Sequence, residues 1–237
     1  MKNRTAALNR FLRRFGFGIH HVGPGRGAGE WHEELDQIRL FDPSDKRIEE
    51  FFVRESNIAH LSRLVDRFEP GLVIDIGANE GQFATLIREA GFRNLLFSVE
   101  PNPVVFAELT ERHPEGEFQV NQSGLVGAET REVEFPVSKS SEFSSLHPPS
   151  DLGEESFGEF MESSETVICE MKPLLAWLES ADVKWDAPVF LKTDTQGHDL
   201  EVLRGAEPLF SNTAVILTEI AIEPLYEGAP DREEMES

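Results

Sequence analysis

The stretch VIDIGANEGQFATLIREAG, residues 73–91, constrains the fold of this chain more than any other part of it. A short apolar run ends in Asp75, breaks into a turn carrying Gly77 and Gly81, and opens an amphipathic segment. That order is strand, tight loop, helix, the unit from which open α/β sheets build a ligand crevice at the carboxyl ends of their strands. Gly77 allows a sharp turn and close approach to a ligand, and Gly81 lets the helix start against the strand. Phe83, Leu86, Ile87 and Ala90 then recur at helical spacing and predict a buried helix face.

The glycine spacing narrows the ligand. Gly-x-x-x-Gly with an acid two residues ahead is not the dinucleotide fingerprint, and no Gly-Lys-Ser/Thr follows to cradle a triphosphate. An NAD-dependent oxidoreductase is therefore disfavoured. The next apolar run, residues 95–99, ends in Glu100, an acceptor suited to two ribose hydroxyls. A loop without a phosphate cradle, followed by such an acid, fits an adenosyl ligand that has no phosphate, and S-adenosylmethionine meets that description. Asn121, Gln122 and Ser123, after the third strand, are expected to flank its adenine.

Charge removes other classes. The 237 residues carry a formal net charge of −22, yet residues 1–29 hold six Lys/Arg and no acid, so the body stands at −28. Nucleic acid is an unsuitable partner for such a body, because its phosphates are repelled. Arginine outnumbers lysine 16 to 6, and heavy acidity with few lysines is compatible with a high-salt cytoplasm. The basic start lacks the continuous apolar core and cleavage site of a signal peptide. With no run long enough to span a membrane, a cytoplasmic location is expected. Leu8, Phe11, Leu12 and Phe15 recur at helical spacing among arginines. They suit peripheral contact of residues 1–22 with an anionic membrane, or packing on the acidic body or a second copy of it. The single Cys169 excludes an intramolecular disulfide and a thiolate zinc cluster, and its apolar neighbours predict a buried thiol.

Alternating apolar runs and helical segments predict an α/β fold with a doubly wound, mostly parallel, Rossmann-like sheet. Residues 1–43 read as a basic arm and linker, and 44–237 as the main domain, with one or two helices over 44–68. A hairpin or loose strands are expected over 123–137. The serine-rich, acidic segment 138–164 reads as a mobile loop, of a length often used as a lid. Strands follow at 189–193 and 214–220. Only 17 residues remain after Ile220, which predicts a shortened C-terminus and an exposed edge on the fifth strand. The arm, or a second subunit in a homodimer, would cover that edge.

The other dense block is FLKTDTQGHDLEVLRGA, residues 190–206. Asp194 falls at a strand's carboxyl end, and Thr195, Gln196 and Gly197 make a turn. Lys192, Asp194, Gln196, His198 and Asp199 gather polar groups there; the plainest account is a helix cap by Asp194 with the others exposed. Glu219 ends the next strand and is expected beside Asp194. Two carboxylates at adjacent strand ends with His198 nearby suit deprotonation of a hydroxyl, binding of a divalent cation, or hydrogen bonding to substrate.

VIDIGANEGQFA, SVEPNP, the FSSL around Ser144 and Ser145, VFLKTDTQGHDLEVLRGA and the TEI…EPLYEG ending together resemble the FkbM-type methyltransferases. The resemblance spans roughly residues 51–228. It implies a class I methyltransferase fold, S-adenosylmethionine as cofactor, and O-methylation of a sugar or other small-metabolite or glycan hydroxyl. Asp75, Gly77, Asn79, Gly81 and Glu100 match the family's cofactor positions; Asp194, Gln196 and Gly197 match its second block. Asp194, His198 and Glu219 are the catalytic candidates, and Ser144, Ser145, Gln196 and Tyr226 are assigned to the acceptor side. No resident metal is expected. A metal-assisted reaction at Asp194 and Glu219, and a non-catalytic cofactor-binding scaffold or inactive subunit, are the competing readings.

Overall fold

A computed structural model of the chain describes residues 46–236. The basic arm at 1–22 and the linker after it lie outside the described residues. Two compact units divide the chain, Met1–His60 and Leu61–Ser237, and both sheets and the cavity belong to the second. The segment expected to hold one or two helices is a single one, α1 (Lys46–Phe68).

Five parallel strands form the main sheet: β1 (Leu72–Ile76), β2 (Leu95–Glu100), β3 (Gln119–Ser123), and later β7 (Val189–Thr193) and β8 (Thr213–Thr218), in the order β3-β2-β1-β7-β8. Every residue of β1 and of β7 is buried, which is why both read as unbroken runs and not as alternating ones. Between them fall α2 (Gln82–Glu89) and α3 (Pro103–Arg112), the latter capped by Asn102, whose side chain accepts from the amides of Val104 and Val105. Phe83, Ala84 and Ile87 are the buried face of α2; Leu86 is half-buried. The chain runs outward from β1 to β3 and then returns to place β7 on the other side of β1. The crevice at the carboxyl ends of β1 and β7 is thus a topological switch point, where open α/β sheets bind ligands.

The strands expected over 123–137 belong to a second sheet, completed by a later strand. β4 (Leu125–Val126), β5 (Arg131–Ser138) and β6 (Ser163–Lys172) pair in the order β4-β6-β5, with β5 and β6 antiparallel and β4 and β6 parallel. Its small core holds Leu125, Phe135, Val137, Cys169 and Met171. Cys169 is buried as expected, its thiol facing the Pro101 carbonyl at 3.4 Å.

Segment 138–164 departs from the expected loop. It contains a 3-10 turn (Ser141–Phe143) and an eleven-residue helix, α4 (Asp151–Met161), before running into β6. Two glycines and a run of acids hide α4 in the sequence. Its start is nonetheless well made: Ser150 accepts from the Gly153 amide, and Asp151 and Glu154 lie in the first turn. Beyond it stand α5 (Leu174–Ser180), α6 (Asp199–Ala206) and, near the end, α7 (Arg232–Glu236). β8 is an edge strand of the described sheet, with Ile216 and the following Ile220 and Ile222 exposed. Among the described residues no helix is long and apolar enough to cross a membrane.

Candidate functional site

A cavity of about 400 Å³ opens at the switch point, within the range of roughly 300–1,000 Å³ usual for small-molecule sites. Its first wall is the turn between β1 and α2. Gly77 sits at φ 72°, and a Cβ there would collide with the Asp194 carbonyl oxygen, so the position admits only glycine. The amides of Gly77 and Ala78 donate to the Val99 carbonyl, fixing the turn to β2. Asn79 follows in a left-handed conformation, φ 47°, and its amide donates to Glu100 Oε2 at 2.9 Å. Glu100 Oε1 accepts from the Asn102 amide, also at 2.9 Å. Burial pushes the Glu100 carboxyl up to about 7, against the two backbone donors that favour its ionised form. Each oxygen keeps a lone-pair direction free, which is what two neighbouring ribose hydroxyls require.

Gly77, Asn79 and Glu100 line the cavity; Asp75 and Gly81 do not. Asp75 is fully buried beneath the turn. Gly81 is set by packing, since a Cβ there would strike the His113 ring. Asn121, Gln122 and Ser123 are also turned away from the cavity. Asn121 donates to the His113 carbonyl and accepts from Gln119, Gln122 donates to the Asn121 carbonyl, and Ser123 is exposed. The lining after β3 comes instead from Gly124, Leu125 and Val126, with Pro101 and Phe135. These residues end β3 level with β2, Ser123 in register with Glu100, and it is the next residue, Gly124, with the apolar β4 that completes the floor.

The opposite wall is the turn after β7. Asp194, Thr195, Gln196 and His198 line it, together with Ser141, Ser144 and Leu146. Asp194 Oδ1 accepts from Gln196 Nε2 at 2.9 Å, and Gln196 is held at φ 54°. The cap expected of Asp194 is not made: α6 starts at His198 without a side-chain cap, and the buried Asp199 accepts from Thr193 Oγ1 and the Thr195 amide. Lys192 and His198 are buried too, contrary to their expected exposure. Burial, with His147 beside it, lowers the His198 pKa to about 4, so its imidazole is neutral. His198 Nε2 and Thr195 Oγ1 are buried polar atoms without a hydrogen-bond partner, and both residues line the cavity. Neither atom reaches solvent, so each is an unsatisfied polar group inside a turn that lines the cavity.

Ser145 and Tyr226 brace this wall from behind. Ser145 Oγ donates to the Gln196 carbonyl at 2.6 Å and accepts from the His147 amide. The Tyr226 hydroxyl lies 3.1 Å from the Phe143 carbonyl and 3.2 Å from Gln196 Oε1. Glu219 follows β8 as Asp194 follows β7, but it is exposed and outside the cavity lining. Among the described residues no group of three His, Cys, Asp or Glu side chains is arranged to hold a metal ion. Thr195 and Lys192 also line the cavity, although neither is among the site candidates read from the sequence. The sole signal for either was its place within the 190–206 block.

A doubly wound parallel sheet, a glycine turn without a phosphate cradle and a buried acid after the second strand define a nucleoside-binding α/β protein. A family model described as the methyltransferase FkbM domain matches residues 75–237, most of the chain, which therefore belongs to the FkbM methyltransferase family. It is a methyltransferase, and its methyl donor is S-adenosylmethionine. The cavity fits that group: an acid with two free acceptor directions, an apolar floor, and a turn that leaves no room for a side chain at Gly77. Two solved structures show similarity at low level. An O-methyltransferase from Bacillus cereus in complex with SAH has 11% identity and a TM-score of 0.40, covering 94% of this chain and 76% of that one. The SAH-bound methyltransferase PaMTH1 of Podospora anserina has 10% identity and a TM-score of 0.36, covering 85% and 73%. No curated protein matches the chain by sequence.

Proposed function

We propose that the chain O-methylates a hydroxyl of a sugar or other small metabolite, with Asp194 as the group that receives the acceptor. The observation that carries this reading is the wall itself. Asp194 stands half-exposed at the cavity beside two unpartnered neutral polar atoms, Thr195 Oγ1 and His198 Nε2. A half-exposed carboxylate flanked by neutral polar groups suits an uncharged hydroxylated acceptor better than an anionic one.

S-adenosylmethionine supplies an electrophilic methyl on a sulfonium, so the protein's work is to bind, align and take up one proton. Glu100 receives the ribose hydroxyls, and residues 124–126 with Pro101 and Phe135 form an apolar bed for the adenine. Gln196 holds Asp194 Oδ1, which leaves Oδ2 directed to the acceptor hydroxyl. Asp194 would take up the proton that the acceptor hydroxyl gives up on methylation, the electrons of the donor's methyl–sulfur bond leaving with sulfur as the neutral thioether. His198, neutral at physiological pH, contributes a hydrogen bond and is a poor proton acceptor.

The test is Asp194→Asn, after a labelled-methyl screen of glycans, lipids and hydroxylated metabolites has found an acceptor. Turnover is expected to fall by about 100-fold or more, while S-adenosylhomocysteine binding by calorimetry stays within a few-fold of the unaltered protein. Unchanged turnover refutes the role of Asp194. Cofactor binding without transfer to any class of acceptor would favour the scaffold reading.

A further inference from the structure

Lys192 is one of six lysines in the chain, and it is buried in the middle of the main sheet. In register it faces Asp75 across the β1–β7 pair. Its ammonium lies 2.9 Å from Asp75 Oδ1, and it donates to the Gly77 carbonyl at 2.9 Å, with the Ile76 carbonyl at 3.5 Å. Asp194 Oδ2 is 4.0 Å away. The ammonium therefore touches the strand, the turn and the acceptor wall at once.

We propose that Lys192 is a positioning residue for the cofactor turn, acting through the Gly77 carbonyl and not only as the counter-ion of Asp75. The turn is held from two sides. Its amides, Gly77 and Ala78, are tied to Val99 on β2, and its carbonyls, Ile76 and Gly77, are tied to β7 through Lys192 and through the Asp194 amide. The peptide after Gly77 sets where Asn79 points, and the Asn79 amide is one of the two donors that orient Glu100. Lys192, which also lines the cavity, thereby reaches the ribose acceptor through a chain of backbone groups. The competing account is simpler: a carboxylate buried to 0% exposure, with Oδ2 accepting no hydrogen bond, needs a cation beside it.

The two accounts part in the Asp75→Asn background, where the buried carboxylate that needs a cation is gone and only the half-exposed Asp194, 4.0 Å away, remains. The inference rests on the cofactor assignment, and S-adenosylhomocysteine is the probe, titrated calorimetrically into each folded variant. If Lys192 positions the turn, Asp75→Asn/Lys192→Met binds it at least about tenfold more weakly than Asp75→Asn alone, the effect of losing one charged hydrogen bond. Equal affinity of the two overturns the proposal. Should the double variant fail to fold, Lys192→Arg decides. It keeps the charge but puts a planar fork where a point donor bridges Asp75 and Gly77, so affinity is expected to fall about tenfold. Affinity like that of the unaltered protein in Lys192→Arg overturns the proposal as well. If the unaltered protein itself does not bind, the cofactor assignment falls, and this inference with it.

Discussion

The two walls of the cavity are held in different ways. The cofactor wall is local: the turn between β1 and α2 is pinned by backbone amides to the neighbouring β2 and by Lys192 of the neighbouring β7. The acceptor wall is assembled from three distant stretches, around residues 141–147, 194–198 and 224–229. Side-chain hydroxyls and an isolated strand bridge between Pro149 and Tyr226 stitch them together. One wall has a geometry that a sheet dictates, and the other depends on a few polar contacts. The first should fail abruptly when altered and the second gradually.

The largest effect is expected at Gly77. Gly77→Ala places a Cβ in a left-handed backbone and against the Asp194 carbonyl. The combined strain and overpacking amount to about 3 kcal/mol of stability. Binding of S-adenosylhomocysteine should be lost beyond detection. A variant that melts and binds like the unaltered protein would break the claim that the sheet alone dictates this wall.

Glu100 gives the next effect, and its sign can be worked out. Its carboxyl is raised from 4.5 to about 7, chiefly by burial. A raised acid pKa favours the protonated form in the ligand-free fold. Its contribution to stability is therefore full below pH 4.5, falls between 4.5 and 7, and is gone above 7. Cofactor binding runs the other way, because ribose hydroxyls donate to the ionised form. Affinity for S-adenosylhomocysteine should rise about tenfold from pH 6 to pH 8, and in Glu100→Gln it should be flat across that range. Calorimetry in buffers of different ionisation enthalpy should show proton release near pH 7 for the unaltered protein. A flat profile there would remove Glu100 from the binding site.

The same division decides what was legible in the sequence. Strand, turn and helix over residues 72–89 follow from short-range rules: an unbroken apolar run, a glycine at a positive φ, a 3.6-residue repeat. Glu100 and Asp194 were legible for the same reason, each being the polar residue that ends an apolar strand. Asn121, Gln122 and Ser123 suit cofactor contact by analogy of position, yet Gly124 and β4 supply the lining there. No local signal announces a two-residue strand that pairs with β6, more than forty residues on. The α4 segment was obscured by its glycines and acids, and its role in bracing the wall depends on contacts to residues 224–227. Lys192 was misjudged because charge suggests exposure, while its register opposite a buried aspartate is a property of the sheet.

On the acceptor wall the expected effects are smaller. Tyr226→Phe removes the hydroxyl that spans the Phe143 carbonyl and Gln196, at a cost of about 1 kcal/mol. Because Gln196 orients Asp194, KM for the acceptor should rise several-fold while S-adenosylhomocysteine affinity is unchanged. A parallel loss of both would mean that the two walls are one mechanical unit, and the comparison would collapse.

Salt should separate the interior from the surface with the least perturbation of all. The chain carries a net charge of −22, most of it on exposed carboxylates, whose mutual repulsion opposes the compact state. Screening shortens from about 8 Å at 0.15 M to about 3 Å at 1 M, so the melting temperature should rise with added KCl. The Asp75–Lys192 pair beneath the turn is buried, where added ions have little access. S-adenosylhomocysteine affinity should then change by less than about twofold over the same range, since buried charge is poorly screened. A melting temperature indifferent to salt would sink the reading of the acidic surface. An affinity that tracked salt together with stability would place the cofactor turn under the control of the surface field and not of Lys192.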